Sequence, residues 1–133
     1  MKLSFEAYLK LKAAIDELIE RSENGAVIVV EGLNDVKALR RFGIKGEIVT
    51  SSNHSNAELV DFIGHREVII MTDWDKRGEA LKNDLITKFS SWGVIPDVEI
   101  RRRIFSIVGR EVTEVENLAE FVFKLERSKQ LIS

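Results

Sequence analysis

Apolar residues along this chain fall into two kinds of run, and the two kinds alternate. Ala26 to Val30 and Val68 to Met71 are unbroken apolar stretches, the pattern of strands buried on both faces. Elsewhere the apolar positions recur every three or four residues, as on one face of a helix. Phe5, Tyr8, Leu11, Ile15 and Leu18 predict a first helix, capped by Ser4 and stopped at Asn24-Gly25. Val36, Leu39 and Phe42 predict a second, capped by Asn34-Asp35 and stopped by Gly43. Glu47 to Thr50 reads as a short strand, followed by the polar loop Ser51 to Ser55 and a helix from about Asn56 to Ile63. After Gly78, Ala80, Leu81, Leu85, Ile86 and Phe89 predict a helix that ends near Trp92-Gly93, and Pro96 forbids its continuation. Asp97 to Ile104 reads as another strand. Thr113 with Glu116 has the spacing of a capping box for a last helix bearing Val115, Leu118, Phe121, Val122 and Leu125.

Strands that alternate with helices predict an α/β fold with a parallel sheet of about four strands and right-handed crossovers. One domain over 1–133 is expected, with a core at about 25–110, an N-terminal helix within 3–23 and a C-terminal helix within 113–130. Three strand ends, at Glu31, Ser51 and Asp73, then open on one edge. In an open parallel sheet, ligands sit beyond the carboxyl ends of the strands. If the first and third strands are neighbours, about 4.8 Å apart, Glu31 comes within reach of Asp73 and Asp75.

Composition narrows the class. With 44% hydrophobic and 32% charged residues the chain is globular, and the absence of Cys excludes disulfides and thiolate metal sites. No apolar run has the length of a membrane span and no signal-peptide pattern is visible, so a cytoplasmic location is expected. The net charge of −2 supplies no bulk attraction to nucleic acid. Any such binding must rest on a local basic patch.

The chemistry is concentrated where the central strand ends, in Arg-Glu-Val-Ile-Ile-Met-Thr-Asp-Trp-Asp-Lys-Arg-Gly-Glu, residues 66–79. Asp73 and Asp75 flank Trp74; on a regular strand they share a face, or the chain turns there and brings them closer. Hard cations such as magnesium take oxygen ligands and keep several waters, so two acids and a third from elsewhere suffice. A strand ending Val-Val-Glu-Gly at residues 29–32, followed by Asn34-Asp35 and a helix, and a second ending in this Asp-x-Asp-x-x-Gly about 40 residues later together resemble the Toprim domain. That is the catalytic module of topoisomerases, bacterial-type primases, 5S ribosomal RNA maturases and related nucleases. The likeness spans roughly residues 25–110 and implies a Rossmann-like, Toprim-like sheet in a small, stand-alone Toprim protein. It implies Glu31 as general acid or base, and Asp73 and Asp75 as magnesium ligands, with Glu31 sharing the metal and manganese as a substitute. Phosphoryl transfer needs such a cation to neutralise charge on non-bridging oxygens, and a group to move a proton. Gly32 and Gly78 would let backbone and phosphate approach closely. Glu79 matches the acid that follows the glycine in topoisomerase-like members; it is a further ligand, or an ordinary acid in a first helical turn.

Lys76 and Arg77 could hold a scissile phosphate or simply keep a loop soluble. Arg101-Arg102-Arg103, placed on a strand, reads as a charged edge or a nucleic-acid track, with Arg101 and Arg103 on one face. Lys37, Arg40 and Arg41 could extend that track or form a wet helix face. His54 lies on the predicted active edge, whereas His65 precedes a strand. Trp74 could stack on a base or pack beneath the loop. Tyr8, the one tyrosine, lies in the apolar stripe of the first helix, which argues against strand passage through a tyrosine nucleophile. The expectation is therefore a magnesium-dependent nuclease-like or transferring domain acting on RNA or DNA. Its rivals are a non-catalytic nucleic-acid or ribonucleoprotein adaptor of the same fold and a receiver-like signalling domain. A receiver expects an acidic pair after the first strand and a Lys after the last, and neither is clear here.

Overall fold

The computed structural model describes residues 3–127 and, as backbone, 128 and 131–132. The chain runs β1 (Leu3–Ser4), α1 (Phe5–Glu23), β2 (Val27–Val30), α2 (Leu33–Arg41), β3 (Ile48–Thr50), α3 (Asn56–Ile63), β4 (Val68–Ile70), α4 (Lys76–Ser90), α5 (Glu99–Val108), a 3-10 turn (Val115–Asn117), α6 (Leu118–Ser128) and β5 (Leu131–Ile132). The last two residues of the helix expected within 113–130 lie outside the described residues.

β2 is the centre of the main sheet, paired in parallel with β3 on one side and β4 on the other. Its four residues are fully buried because both faces are covered. Ile28 and Val30 point with Ile69 and Met71 into a core completed by Leu11, Ile15, Leu18, Ile104 and Val122. Val27 and Val29 point the other way, with Val68 and Ile70, onto Leu59, Val60, Ile63, Leu85 and Phe89. This period-two division is what an unbroken apolar strand between two helical layers requires. Each such side chain contributes about 1.5–3 kcal/mol on burial. A separate two-stranded parallel pair joins β1 to β5 near the chain ends.

One expected strand is a helix. Of the segment 97–104 only Asp97 bridges the sheet, at Ile69. Its carboxylate then caps the next segment, accepting from Glu99 N–H at 2.8 Å and Ile100 N–H at 3.3 Å, and α5 begins. The apolar residues Ile100, Ile104, Phe105 and Val108 follow the helical period and are all buried. The main sheet thus has three strands among the described residues, not about four. Two caps also differ from expectation. Gly32, not Asn34, is the N-cap of α2, and Asp35 returns its carboxylate to Gly32 N–H at 3.0 Å. The Thr113–Glu116 capping box does not form: α6 is entered through the 3-10 turn, which has no side-chain cap.

Among the described residues, no helix is long and apolar enough to cross a membrane. Tyr8 donates to Glu126 of α6; burial and that carboxylate push its phenol up to about 12. It ties the first helix to the last.

Candidate metal and phosphate site

β2 and β4 end side by side, and the chain turns sharply after each. Beyond β4, Met71 N–H still donates to Val29 O at 2.8 Å, and the buried Thr72 hydroxyl donates to Gly78 O at 2.8 Å. The loop Asp73-Trp74-Asp75 follows. Asp75 caps α4, its carboxylate accepting from Gly78 N–H at 2.7 Å. The aspartates therefore sit on a turn, with no strand face in common. Gly78 is dictated by this turn, since a Cβ there would stand 2.0 Å from Asp73 O. At Gly32 a Cβ would meet nothing within 4 Å, so that position opens to solvent beside the acids.

Glu31, at the end of β2, accepts from Asp73 N–H through Oε2 at 2.9 Å. Residues 42 apart in sequence are thus in direct contact. Asp73 in turn accepts from Val115 N–H through Oδ1 at 2.8 Å, and Trp74 N–H donates to Thr113 O at 2.6 Å. The segment ahead of α6 is strapped across the loop by these two bonds. Burial pushes the Asp73 carboxyl up to about 6; the Val115 N–H opposes this, and the charges of Glu31 and Asp75 add to it.

Further acids stand close to Asp73, of which Asp35 and Glu116 are expected as helix caps and Glu114 carries no expected role. Glu114 is held above the usual carboxylate range by its hydrogen bond with Glu116, with Asp73 and Asp75 contributing. Asp35 is raised by burial and then by Asp73 and Glu116. Nothing local in the sequence marks Glu114 or Glu116 as neighbours of Asp73, because the docking of a distant turn places them.

The expected basic contacts divide. Lys76 and Arg77 are exposed in the first turn of α4, with Arg77 Nε 3.9 Å from Glu31 Oε1. Arg101 is a correction. It is 1% exposed, so it offers no surface to nucleic acid. Its Nε donates to Thr72 O at 2.9 Å and its Nη2 to Asp73 O at 2.7 Å, while Nη1 lies 3.0 Å from Glu79 Oε2. Arg103 does not share a face with it along a strand; it pairs with Glu17 of α1 at 2.8 Å, and Arg102 pairs with Glu99 on its own helix. The arginine triplet is thus no continuous track. Glu79 is held below the usual range by Lys82 and by Arg101, and serves both as counter-ion. On α2, Arg40 donates to the carbonyls of Ile44 and Gly46, Arg41 pairs with Glu120, and Lys37 stays exposed.

Trp74 packs beneath the loop: its ring stacks on Phe105 at 5.6 Å between centroids, and the Arg101 guanidinium lies 4.9 Å from it. With Asp75, Lys76, Glu79, Ala80 and Asn83 it lines an open cleft of about 720 Å³. His54 lines a different cleft of about 600 Å³, beside β3, with Val49, Glu58 and Phe62. His65 packs edge-on against Trp92.

Among the described residues, no three Asp, Glu or His side chains converge closely enough to hold an ion between them. Glu31, Asp73 and Asp75 each commit one oxygen to a main-chain N–H, and a carboxylate has two. Oxygen donors of this kind fit magnesium carried on one or two carboxylates, with waters completing its shell.

The model of the Toprim domain matches residues 26–107. A UPF0292 protein of Archaeoglobus fulgidus is 45% identical over 120 residues, covering 90% of this chain and 95% of its own. One of Methanosarcina acetivorans is 39% identical, covering 96% and 92%. A solved structure of a protein from Aquifex aeolicus superposes with a TM-score of 0.68 at 30% identity, covering 80% of this chain and 95% of the other.

Proposed function

This chain belongs to the Toprim domain family, and we propose that it cleaves or transfers phosphodiester bonds of RNA or DNA with the help of magnesium. Toprim domains are generally magnesium-binding, and the family points to metal-dependent work on nucleic acid. Within that frame Glu31 is the general acid or base, and Asp73 and Asp75, aided by Glu31, are the residues that would hold the cation. Manganese substitutes for it. When bound, the cation supplies charge neutralisation for the non-bridging phosphate oxygens. Glu31 fixes the Asp73 main chain through one oxygen and moves a proton through the other, to or from the attacking or leaving oxygen. Lys76 and Arg77 hold the flanking phosphate, and the open face at Gly32 admits it.

The observation that carries this reading is the Glu31–Asp73 bond, which joins the two strand ends into one acidic lip. The test is nicking of a supercoiled plasmid and of a structured RNA, with magnesium or manganese. Cleavage is expected with the wild type and lost in Glu31→Gln and Asp73→Asn. A wild type inert on both substrates with both metals sinks the catalytic reading.

A second reading, an adaptor that binds nucleic acid or sits in a ribonucleoprotein without turnover, is favoured by the lack of a ready three-ligand set among the described residues. Binding that ignores a chelator, with no cleavage, selects it.

A further inference from the structure

A fully buried arginine needs an explanation, because removing a guanidinium from water costs several kcal/mol unless its donors are satisfied. Arg101 is satisfied in an unusual way. Two of its donors go to main-chain carbonyls, those of Thr72 and Asp73, and a third faces Glu79. Thr72 is the residue just ahead of the Asp73-Trp74-Asp75 loop, and Glu79 stands in the first turn of the helix that Asp75 caps. The guanidinium thus grips the loop on both sides. Its face rests near the Trp74 ring, which in turn rests on Phe105, one helical turn beyond Arg101 on α5. Only a planar fork can span these three acceptors and stack at once; a lysine ammonium cannot.

Glu31 and Val115 hold Asp73 by its own N–H and carboxylate. Arg101 holds the carbonyl of the same residue. Its charge is met by Glu79 at 3.0 Å, and its hold on the loop runs through the two carbonyls.

We propose that Arg101 is the positioning residue of the acidic loop, fixing the Thr72 and Asp73 carbonyls so that Asp73 and Asp75 meet one divalent cation in a set geometry. This rests on the metal reading given above. Arg101 touches neither cation nor substrate. Its effect is on how tightly the cation is held, as for other groups that orient metal ligands, where substitution costs about 10–100-fold in affinity.

The experiment is calorimetric titration of the full chain with magnesium and with manganese, alongside melting curves. Arg101→Lys keeps the charge and loses the fork, and cation affinity is expected to fall about tenfold or more. Val122→Ala, in the core but outside the loop, is the control for lost stability. It is expected to melt earlier and to bind the cation as the wild type does. Phe105→Leu leaves Arg101 in place and removes the ring beneath Trp74, so it serves if Arg101→Lys does not fold. A weakening of about tenfold is expected from it, at the lower end of such indirect effects. Unchanged affinity in Arg101→Lys, or in Phe105→Leu where the lysine variant is unfolded, overturns the proposal. So does a loss in Val122→Ala equal to that in the Arg101 variant, since the effect is then one of general stability. A wild type that takes up neither metal overturns the metal reading and this proposal with it; wild-type uptake that Arg101→Lys preserves overturns this proposal alone.

Discussion

Asp73 is pulled in two directions. The fold uses its carboxylate as an acceptor for Val115 N–H and its amide as a donor to Glu31, while burial and the adjacent charges of Glu31 and Asp75 work against its ionised form. With a folded-state pKa of about 6 against an unfolded value of about 3.9, the folded state binds the extra proton. The stability from this group is therefore complete below about pH 4 and is lost as pH rises through about 6. A cation at the lip reverses the balance, since it favours the ionised carboxylate. Asp73→Asn keeps an oxygen for Val115 N–H and cannot ionise. In chelator, its melting temperature relative to the wild type is expected to rise between pH 4 and pH 7, leaving it the more stable of the two at neutral pH. Magnesium at pH 7 is expected to raise the wild-type melting temperature and leave that of the variant unmoved. A constant difference between the two proteins across this range, with no response to magnesium, contradicts the assignment.

At the scale of elements, caps show how local rules and distant contacts divide the chain. Ser55 and Glu58 form a reciprocal capping box at the start of α3, with bonds of 3.1 and 3.2 Å. Thr113 and Glu116 have the same spacing and form none, because the 3-10 turn starts from Glu114 as its N-cap, one residue past Thr113, where the segment is tied to the loop through Val115 N–H and Thr113 O. Ser55→Ala should therefore cost about 1 kcal/mol, and Thr113→Ala should stay within about 0.5 kcal/mol as an ordinary surface change; urea melts of the two variants check the contrast. Equal losses would mean that the box at Thr113 forms in solution. The same division explains what could be read in advance. The strands at 27–30 and 68–70 and the helix Asn56–Ile63 announce themselves through apolar runs and local caps. From these the convergence of Glu31 with Asp73 follows once the two strands are neighbours, and the pairing of β2 with β4 meets that condition. The segment 97–104 reads as a strand because Arg101, Arg102 and Arg103 break the helical apolar pattern that α5 in fact follows. The helical set Ile100, Ile104, Phe105 and Val108 emerges only when the window extends past residue 104. The burial of Arg101 has no local signal at all, because its main-chain acceptors lie 28 and 29 positions back in the chain. Glu114 and Glu116 were illegible for a similar reason.

At the scale of the molecule, a net charge of −2 and an acidic lip must be reconciled with the polyanionic substrate proposed for it. Few cations are free to help. Arg101 is buried, and Arg41, Arg102 and Arg103 are engaged with acids. Lys76 and Arg77 remain exposed beside the acids and Lys37 on α2, the helix that follows Glu31, and among the described residues Arg77 alone of the three has a carboxylate within 4 Å, that of Glu31 at 3.9 Å. A footprint of this size neutralises about three phosphates, so the logarithm of nucleic-acid affinity against the logarithm of salt should slope at about −2 to −3. Each contact removed takes nearly one unit from that slope. The double variant Lys76→Ala/Arg77→Ala should then bind weakly with a slope near −1, in titrations that hold magnesium constant. Because the lip itself repels phosphate until a cation is held there, removing the metal should weaken binding at every salt concentration. A slope of about −6 or steeper, unaffected by the double variant and by chelator, would place the nucleic acid on another surface and separate binding from the acids altogether.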